Sequence, residues 1–174
     1  MEENLAVRKN IRLQGYDYSS AGLYYITICT HLRKNLLAHM VVGLPSVDSP
    51  EPMPYCRLRD AGEISQTELY ELENRYNYIK IDKTIIMPNH IHTIIALWQD
   101  FSPCPTIMDV ICAYKSITTK RYNKMLAISG KTLWQSRFHD HVIRNEEEYL
   151  RIWQYIDENP ANWVEDKYYV KDNY

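Results

Sequence analysis

"IIMPNHIHTIIALW", residues 85–98, is largely apolar, yet two histidines, His90 and His92, lie at its centre one residue apart. Pro88-Asn89 is a turn signal, so the stretch predicts two strands, 78–87 and 90–98, joined by a short connection. Side chains alternate along a strand, so both histidines project to one face and Ile91 to the other. A histidine buried without a partner costs free energy, and the pair therefore needs an explanation.

The remaining pattern predicts five more elements around these strands. Residues 22–31 are β-branched and aromatic, as is typical of a strand. Helical spacing of apolar residues marks 60–79 and 106–126 as helices, and 133–144 alternates like a strand. A last helix is predicted at 145–160, with Asn145 as N-cap, Glu148 completing a capping box and Pro160 ending it. The buried stripe of the helix at 106–126 is predicted to be Ile107, Val110, Ile111 and Tyr114.

The order of these elements is strand, helix, two strands, helix, strand, helix. This order predicts an α+β fold, a ferredoxin-like antiparallel sheet (β-α-β-β-α-β) with helices on one face and an additional C-terminal helix. The length of 174 residues suits one domain, 1–174. Residues 43–54, with four prolines, are predicted to form an exposed loop or an insertion.

Composition excludes several classes of protein. Apolar residues make up 45% of the chain, but no apolar run approaches the roughly 20 residues of a membrane span. The first ten residues contain no apolar region typical of a secretory signal. The four cysteines show no CxxC pairing, so we expect reduced thiols in a cytoplasmic protein.

Positive charge is concentrated in one segment. Residues 105–144 contain seven basic and two acidic side chains and carry +5, whereas the rest of the chain carries −7. A solvated helix face explains this clustering as well as a binding surface does.

The spacing of His90 and His92 allows their two imidazoles to share one metal ion. On spacing alone, histidines bonded to backbone carbonyls beneath the sheet are the favoured explanation. A second pair, His139 and His141, lies on a more polar strand where contact with solvent or phosphate explains it equally well. The first pair begins a strongly apolar strand just after a turn, where a rigid sheet would hold ligands in place.

The last predicted helix offers further polar groups. Its apolar stripe is predicted from Tyr149, Ile152, Trp153 and Ile156, and Tyr155 lies beside that stripe. Tyr155 and Asn159 share a face, so a hydroxyl and a carboxamide could reach one ion. On local pattern alone, a tyrosine that packs its ring at the rim of the core is the favoured reading of Tyr155.

Five blocks taken together resemble the REP-associated tyrosine transposases, single-tyrosine members of the HUH transposases and endonucleases. The resemblance covers about Arg8 to Trp163. The blocks are IRLQGYDYSSAGLYYITICTH (11–31), MPNHIH (87–92), AYKSITTKRYNK (113–124), LWQSRFHDHVIRNEEEY (133–149) and YIDENPANW (155–163). The histidine motif alone is unspecific, whereas the ordered set is specific.

The resemblance implies a role for each matching residue. His90 and His92 match the metal ligands, Tyr155 the nucleophile on the C-terminal helix, and Asn159 a third ligand where related insertion-sequence enzymes have glutamine. It also implies Mg²⁺ or Mn²⁺ as cofactor and a 5′-phosphotyrosine intermediate in nicking and joining of hairpin-bearing single-stranded DNA. The basic segment would then follow the DNA backbone, with Lys115, Lys120, Arg121, Arg137 and Arg144 as candidate contacts.

Two other functions stay open. One is an inactive or domesticated relative that binds hairpin DNA or RNA without cutting, which the intact motif residues argue against. The other is a metal-dependent hydrolase of small phosphoesters, which predicts an enclosed pocket where a transposase needs an open basic groove. The sequence leaves both a homodimer and a monomer open, and predicts a cytoplasmic protein associated with the nucleoid through DNA.

Overall fold

The computed structural model describes residues 17–18, 20–43, 53–98 and 105–171. Most of the proline-rich stretch and Cys104 lie outside these residues. None of the helices in the described ranges is long and apolar enough to cross a membrane. The strands are β1 (Gly22–Cys29), β2 (Ala38–Val42), β3 (Pro54–Leu58), β4 (Ile79–Ile86), β5 (His90–Leu97) and β6 (His139–Ile143), and the helices are α1 (Asp60–Arg75), α2 (Ile107–Met125) and α3 (Glu146–Glu158).

Four strands form one antiparallel sheet in the order β4-β5-β1-β6. With α1 between β1 and β4, and α2 between β5 and β6, this is the ferredoxin-like plan that the sequence predicted. The strand β5 lies between β4 and β1, and all eight of its residues are buried. The stretch at 85–98 therefore supplies an inner strand of the sheet, β5, and the turn that joins it to the edge strand β4.

The two faces of the sheet have different partners. On one face, Ile26 and Ile28 of β1 and Ile91 of β5 pack with α1 and α2 in the main core, which includes the predicted stripe of α2. On the other face, Ile94 packs against Ile152 and Ile156 of α3. His90 and His92 belong to this second face, because they alternate with Ile91 along β5.

A second sheet, the hairpin of β2 and β3, was missed by the sequence analysis. Pro54, predicted to be in a loop, begins β3 at a strand end, where its missing N–H is tolerated. The predicted strand 133–144 is shorter than expected. Only residues 139–143 form β6, and Trp134 makes an isolated bridge to Thr30.

Two local predictions for α3 are corrected. Asn145 does cap the helix, accepting from the Glu148 N–H, but the Glu148 carboxylate accepts from the Arg144 N–H rather than completing a capping box. Trp153, predicted to be core, is 38% exposed. Its ring lies 3.5 Å from the Lys83 ammonium, a cation–π contact that allows a large aromatic side chain at the surface.

An ion cluster joins α1 to α2 on the core face. The carboxylate of Glu68, 1% exposed, accepts from Arg75 on its own helix and from Arg121 on α2. Burial raises the pKa of Glu68, but the two arginines lower it more, and the net shift is downward. The charged form of Glu68 is therefore favoured in the folded protein.

We expect Glu68→Gln to lower the free energy of unfolding by about 1–3 kcal/mol, because two charge-assisted hydrogen bonds are lost. Because the folded-state pKa of Glu68 lies below its unfolded value of 4.5, the ionised carboxylate stabilises the folded protein above that pH. This stabilisation is lost as the pH falls through the folded-state pKa. Urea denaturation at pH 7 and pH 3 should show the difference from wild type shrinking at the lower pH. Glu71→Gln, one turn further on α1, is the control, and an equal effect of both substitutions at pH 7 would contradict the role of the cluster.

Candidate active site

His90 and His92 lie side by side beneath α3. In the register of β1 with β5, Cys29 is opposite His90 and Thr27 is opposite His92. Both imidazoles are fully buried, and their ring centroids are 4.5 Å apart. The sheet therefore places the two imidazoles next to each other on one face, as their alternation with Ile91 predicted.

One nitrogen of each ring is bonded and the other is not. The Nδ1 of His92 lies 2.7 Å from the Tyr25 hydroxyl and 2.9 Å from the Thr27 hydroxyl, and the Nδ1 of His90 lies 2.9 Å from Asn89 Oδ1. Both Nε2 atoms are buried and have no hydrogen-bond partner among the described residues. A buried polar atom without a partner is costly, so two such atoms together indicate a site for a ligand.

Burial also keeps both rings neutral at physiological pH. It lowers the pKa of His90 to about 4, and it lowers the pKa of His92 well below its usual value, with the neighbouring His90 adding to the effect. A metal ion binds the neutral imidazole, because the protonated ring has no lone pair to offer.

The third group at this site, Asp166, was not predicted from the sequence. One carboxylate oxygen of Asp166 and one ring nitrogen from each of His90 and His92 all lie within 4.8 Å of one another. Asp166 follows a short 3₁₀ helix, Trp163–Glu165, and its Oδ1 accepts from the Tyr168 N–H at 2.6 Å. No periodicity marks a residue in such an irregular segment, so nothing distinguishes it in the sequence from the other acids.

Tyr155 and Asn159 approach the same carboxylate from α3. The Tyr155 hydroxyl and the Asn159 Nδ2 each donate to Asp166 Oδ2 at 3.1 Å. The Tyr155 ring contacts His92 edge-on, with centroids 5.3 Å apart, and the side chain is 39% exposed. The Asn159 Oδ1 is buried and has no hydrogen-bond partner in the described part of the chain. Asn159 keeps helical backbone angles although Pro160 follows it.

The surroundings of Tyr155 make its phenol hard to ionise. Burial raises its pKa most, and both the charge of Asp166 and the hydrogen bond to it raise it further. The adjoining cleft, about 360 Å³, has three acids and one base among its lining residues, which are Tyr155, Glu158, Asn159, Asn162, Glu165, Asp166 and Lys167. This acidic cleft favours a cation and disfavours a phosphate that arrives alone.

The basic side chains are divided between two places. Lys115, Lys120 and Arg121 lie on α2, which packs on the sheet face opposite the histidines. Lys115 donates to the Ser136 carbonyl, and Arg121 is bonded to Glu68. Arg137 and Arg144 are exposed and lie just before and just after β6, a strand of the same sheet as β5.

The second histidine pair does not form a matching site. His139 and His141 share the sheet face of His92, because Thr27 lies between His139 and His92 in the strand registers. The His141 Nε2 is bonded to the Glu148 carboxylate at 2.7 Å. His139 is exposed, and its ring lies edge-on to Tyr25.

Known proteins are similar to this chain in sequence and in fold. A protein of Haemophilus influenzae whose function is uncharacterised is 28% identical over 181 residues, which cover 94% of this chain and 93% of that protein. A solved structure described as a REP-associated tyrosine transposase bound to a REP hairpin superposes with a TM-score of 0.53, at 20% identity, over 84% of this chain and 70% of that one. This second likeness supports the ferredoxin-like fold.

The family model described as "Transposase IS200 like" matches residues 62–159, more than half of the chain. The match includes both histidines, Tyr155 and Asn159, and it ends seven residues before Asp166. The chain belongs to the family of IS200-like transposases.

Proposed function

We propose that this transposase nicks and rejoins single-stranded DNA with Tyr155 as its nucleophile. The observation that carries the proposal is the meeting of the Tyr155 hydroxyl with two unpartnered histidine nitrogens around Asp166. The phenolic oxygen would bond to phosphorus as the bond from phosphorus to the 3′-oxygen breaks. The phenol loses its proton and the 3′-oxygen gains one, which leaves a 5′-phosphotyrosine that a 3′-hydroxyl can later reverse.

The residues at the site fit a divalent metal ion. His90, His92 and Asp166 together provide two imidazoles and a carboxylate, and Asn159 adds an amide oxygen. Such a mixed nitrogen and oxygen set suits Mn²⁺ and, less well, Mg²⁺. A bound divalent ion would polarise the scissile phosphate and offset the negative charge that opposes ionisation of Tyr155.

The chain itself contributes the position of the Tyr155 hydroxyl. The rings of His92 and Tyr155 pack against each other, so the hydroxyl is held near the two histidines before DNA arrives. In our proposal Asp166, rather than Asn159, is the main oxygen ligand. Metal binding at Asp166 would weaken the hydrogen bond that it accepts from the Tyr155 hydroxyl, and the hydroxyl would then be available to attack.

The DNA partner is proposed from a relative. The REP-associated transposase of similar fold is bound to a REP hairpin, and we propose that this chain, acting as one domain in the cytoplasm, likewise takes hairpin-bearing single strands. Arg137 and Arg144, exposed on either side of β6, are the leading backbone contacts, with Lys115, Lys120 and Arg121 on the opposite side of the sheet as further candidates.

One observation favours an alternative, a protein that binds hairpins without cutting them. The Tyr155 hydroxyl donates to Asp166, and its pKa is raised, so the phenol is protonated and inert until the charge of Asp166 is offset. Covalent adduct formation separates the two functions, because only the nicking enzyme forms one.

For the nucleophile, we expect Tyr155→Phe to abolish the denaturant-resistant adduct with a hairpin-bearing oligonucleotide in Mn²⁺. The ring packing against His92 is kept, so folding and DNA binding should stay near wild type. Tyr149→Phe is the matched control on α3, where it loses a hydroxyl bonded to Asp82, and it should retain the adduct. Adducts run on denaturing gels decide the matter, and a wild-type adduct yield from Tyr155→Phe would refute the assignment.

For the metal, we expect Asp166→Asn to weaken Mn²⁺ binding at least about tenfold, roughly 1.4 kcal/mol. Its neighbour Glu165, which lines the same cleft, provides the control, and Glu165→Gln should change the affinity much less. Isothermal titration calorimetry in the absence of DNA measures both. A larger loss in Asn159→Ala than in Asp166→Asn would show that the asparagine is the main oxygen ligand after all.

For the DNA contacts, we expect reversing the charge at Arg137 and Arg144 together to weaken binding of hairpin-bearing single strands. If each contacts one phosphate, the slope of log K against log salt should fall by about 1.4 in magnitude. Lys80→Glu, an exposed lysine outside the basic segment, serves as control. Fluorescence anisotropy over a range of salt concentrations gives the slopes, and unchanged slopes would mean that the two arginines merely face solvent.

A further inference from the structure

The side chain of Asn89 is fully buried and has all of its hydrogen-bonding atoms engaged. Its Nδ2 donates to the Tyr168 carbonyl at 2.8 Å and to the Arg33 carbonyl at 3.2 Å. Its Oδ1 lies 2.9 Å from the Nδ1 of His90. The carboxamide therefore contacts three separate parts of the chain, namely β5, the segment after β1 and the C-terminal segment.

These contacts leave a single arrangement of protons. An amide turned the other way would place Oδ1 against two carbonyl oxygens, so Nδ2 must face the carbonyls and Oδ1 must face His90. Because Oδ1 can only accept, the Nδ1 of His90 must carry the hydrogen. A neutral imidazole with its hydrogen on Nδ1 has its lone pair on Nε2, the buried atom that has no partner among the described residues.

We propose that Asn89 is a positioning residue, which holds His90 in the Nδ1–H form and so presents the Nε2 lone pair to the metal ion. The inference rests on the proposed metal-dependent function. His92 differs in this respect, because its Nδ1 faces two hydroxyl groups that can each donate or accept. The proton position on His92 is thus not dictated by its neighbours, whereas that on His90 is.

The same carboxamide also restrains the segment that contains Asp166. Asn89 is bonded to the carbonyl of Tyr168, and the N–H of Tyr168 is bonded to the carboxylate of Asp166. One buried side chain is thus linked to two of the three groups that could hold the metal. Outer contacts of this kind set the orientation and the basicity of metal ligands.

Two substitutions separate the effect on the ring proton from the effect on the fold. Asn89→Leu has a similar volume but neither an acceptor for Nδ1–H nor a donor for the two carbonyls. Asn89→Asp keeps the acceptor for Nδ1–H, but it places a second oxygen, in the position of Nδ2, against the Arg33 and Tyr168 carbonyls. Thr30→Val is the structural control, since the Thr30 hydroxyl donates to the Asn89 backbone carbonyl and to the Lys34 carbonyl without touching His90.

The first measurement is the ¹⁵N NMR spectrum of the histidine rings in the metal-free protein at pH 8. We expect the Nδ1–H form of His90 in wild type, Asn89→Asp and Thr30→Val, and its loss in Asn89→Leu. The second is Mn²⁺ affinity by calorimetry, which should fall about 10–100-fold in Asn89→Leu. Thr30→Val should stay within a few-fold of wild type, and Asn89→Asp should not fall below it, because the acceptor is kept and an added negative charge favours a cation.

Either of two results would overturn the proposal. One is retention of the Nδ1–H form and of Mn²⁺ affinity in Asn89→Leu, and the other is an equal loss in Asn89→Asp. If Asn89→Leu fails to fold, Asn89→Asp decides alone, because retaining the Nδ1–H form with both donor bonds lost supports the proposal and losing it refutes the proposal. The NMR measurement needs neither metal nor DNA, so its outcome is independent of whether the proposed nicking activity is correct.

Discussion

The site depends above all on the antiparallel pairing of β5 with β1. This register places Thr27 opposite His92 and Ile28 opposite Ile91, so the histidines face α3 while the isoleucines enter the main core. A slip of one residue would exchange the two faces and bury both imidazoles among aliphatic side chains. The energy of the apolar core thus holds the histidines in place, because a slip of one residue would remove Ile26, Ile28 and Ile91 from that core.

Burial has opposite consequences for the two kinds of group at the site. It lowers the pKa of His90 and His92, which favours the neutral rings that a cation needs, but it raises the pKa of Tyr155, which in the proposed reaction must lose a proton to attack. The charge of Asp166 attracts a cation and adds to the rise in the pKa of Tyr155, whereas it opposes the lowering of the pKa of His90. A divalent ion would resolve the conflict, because it satisfies the nitrogens and offsets the carboxylate at once.

The cleft next to Tyr155 is acidic, whereas residues 105–144 of the same chain carry an excess of positive charge. Part of that segment lies on α2, where Arg121 neutralises the buried Glu68 and Lys115 is bonded to a carbonyl, so both have structural partners. The exposed Arg137 and Arg144 lie just before and just after β6, a strand whose histidines project to the same face of the sheet as His92. In the proposed function, a DNA strand would therefore approach along β6, and a bound metal ion would offset the acids around Tyr155.

The sequence by itself determined the sheet, the main helices and the placement of His90 and His92 on one face, because those features follow from local periodicity and turn chemistry. It also marked Tyr155 and Asn159 through their family motif. The hairpin of β2 and β3 was not predicted, because its short strands carry no clear alternation of apolar and polar residues. Trp153 was wrongly predicted to be buried, because a lysine of β4 covers its ring at the surface. Only the tertiary structure showed that Asp166 and Asn89 lie beside the two histidines. Their partners lie far away in the chain, and long-range hydrogen bonds such as that from Asn89 to the Tyr168 carbonyl leave no periodic trace in a sequence.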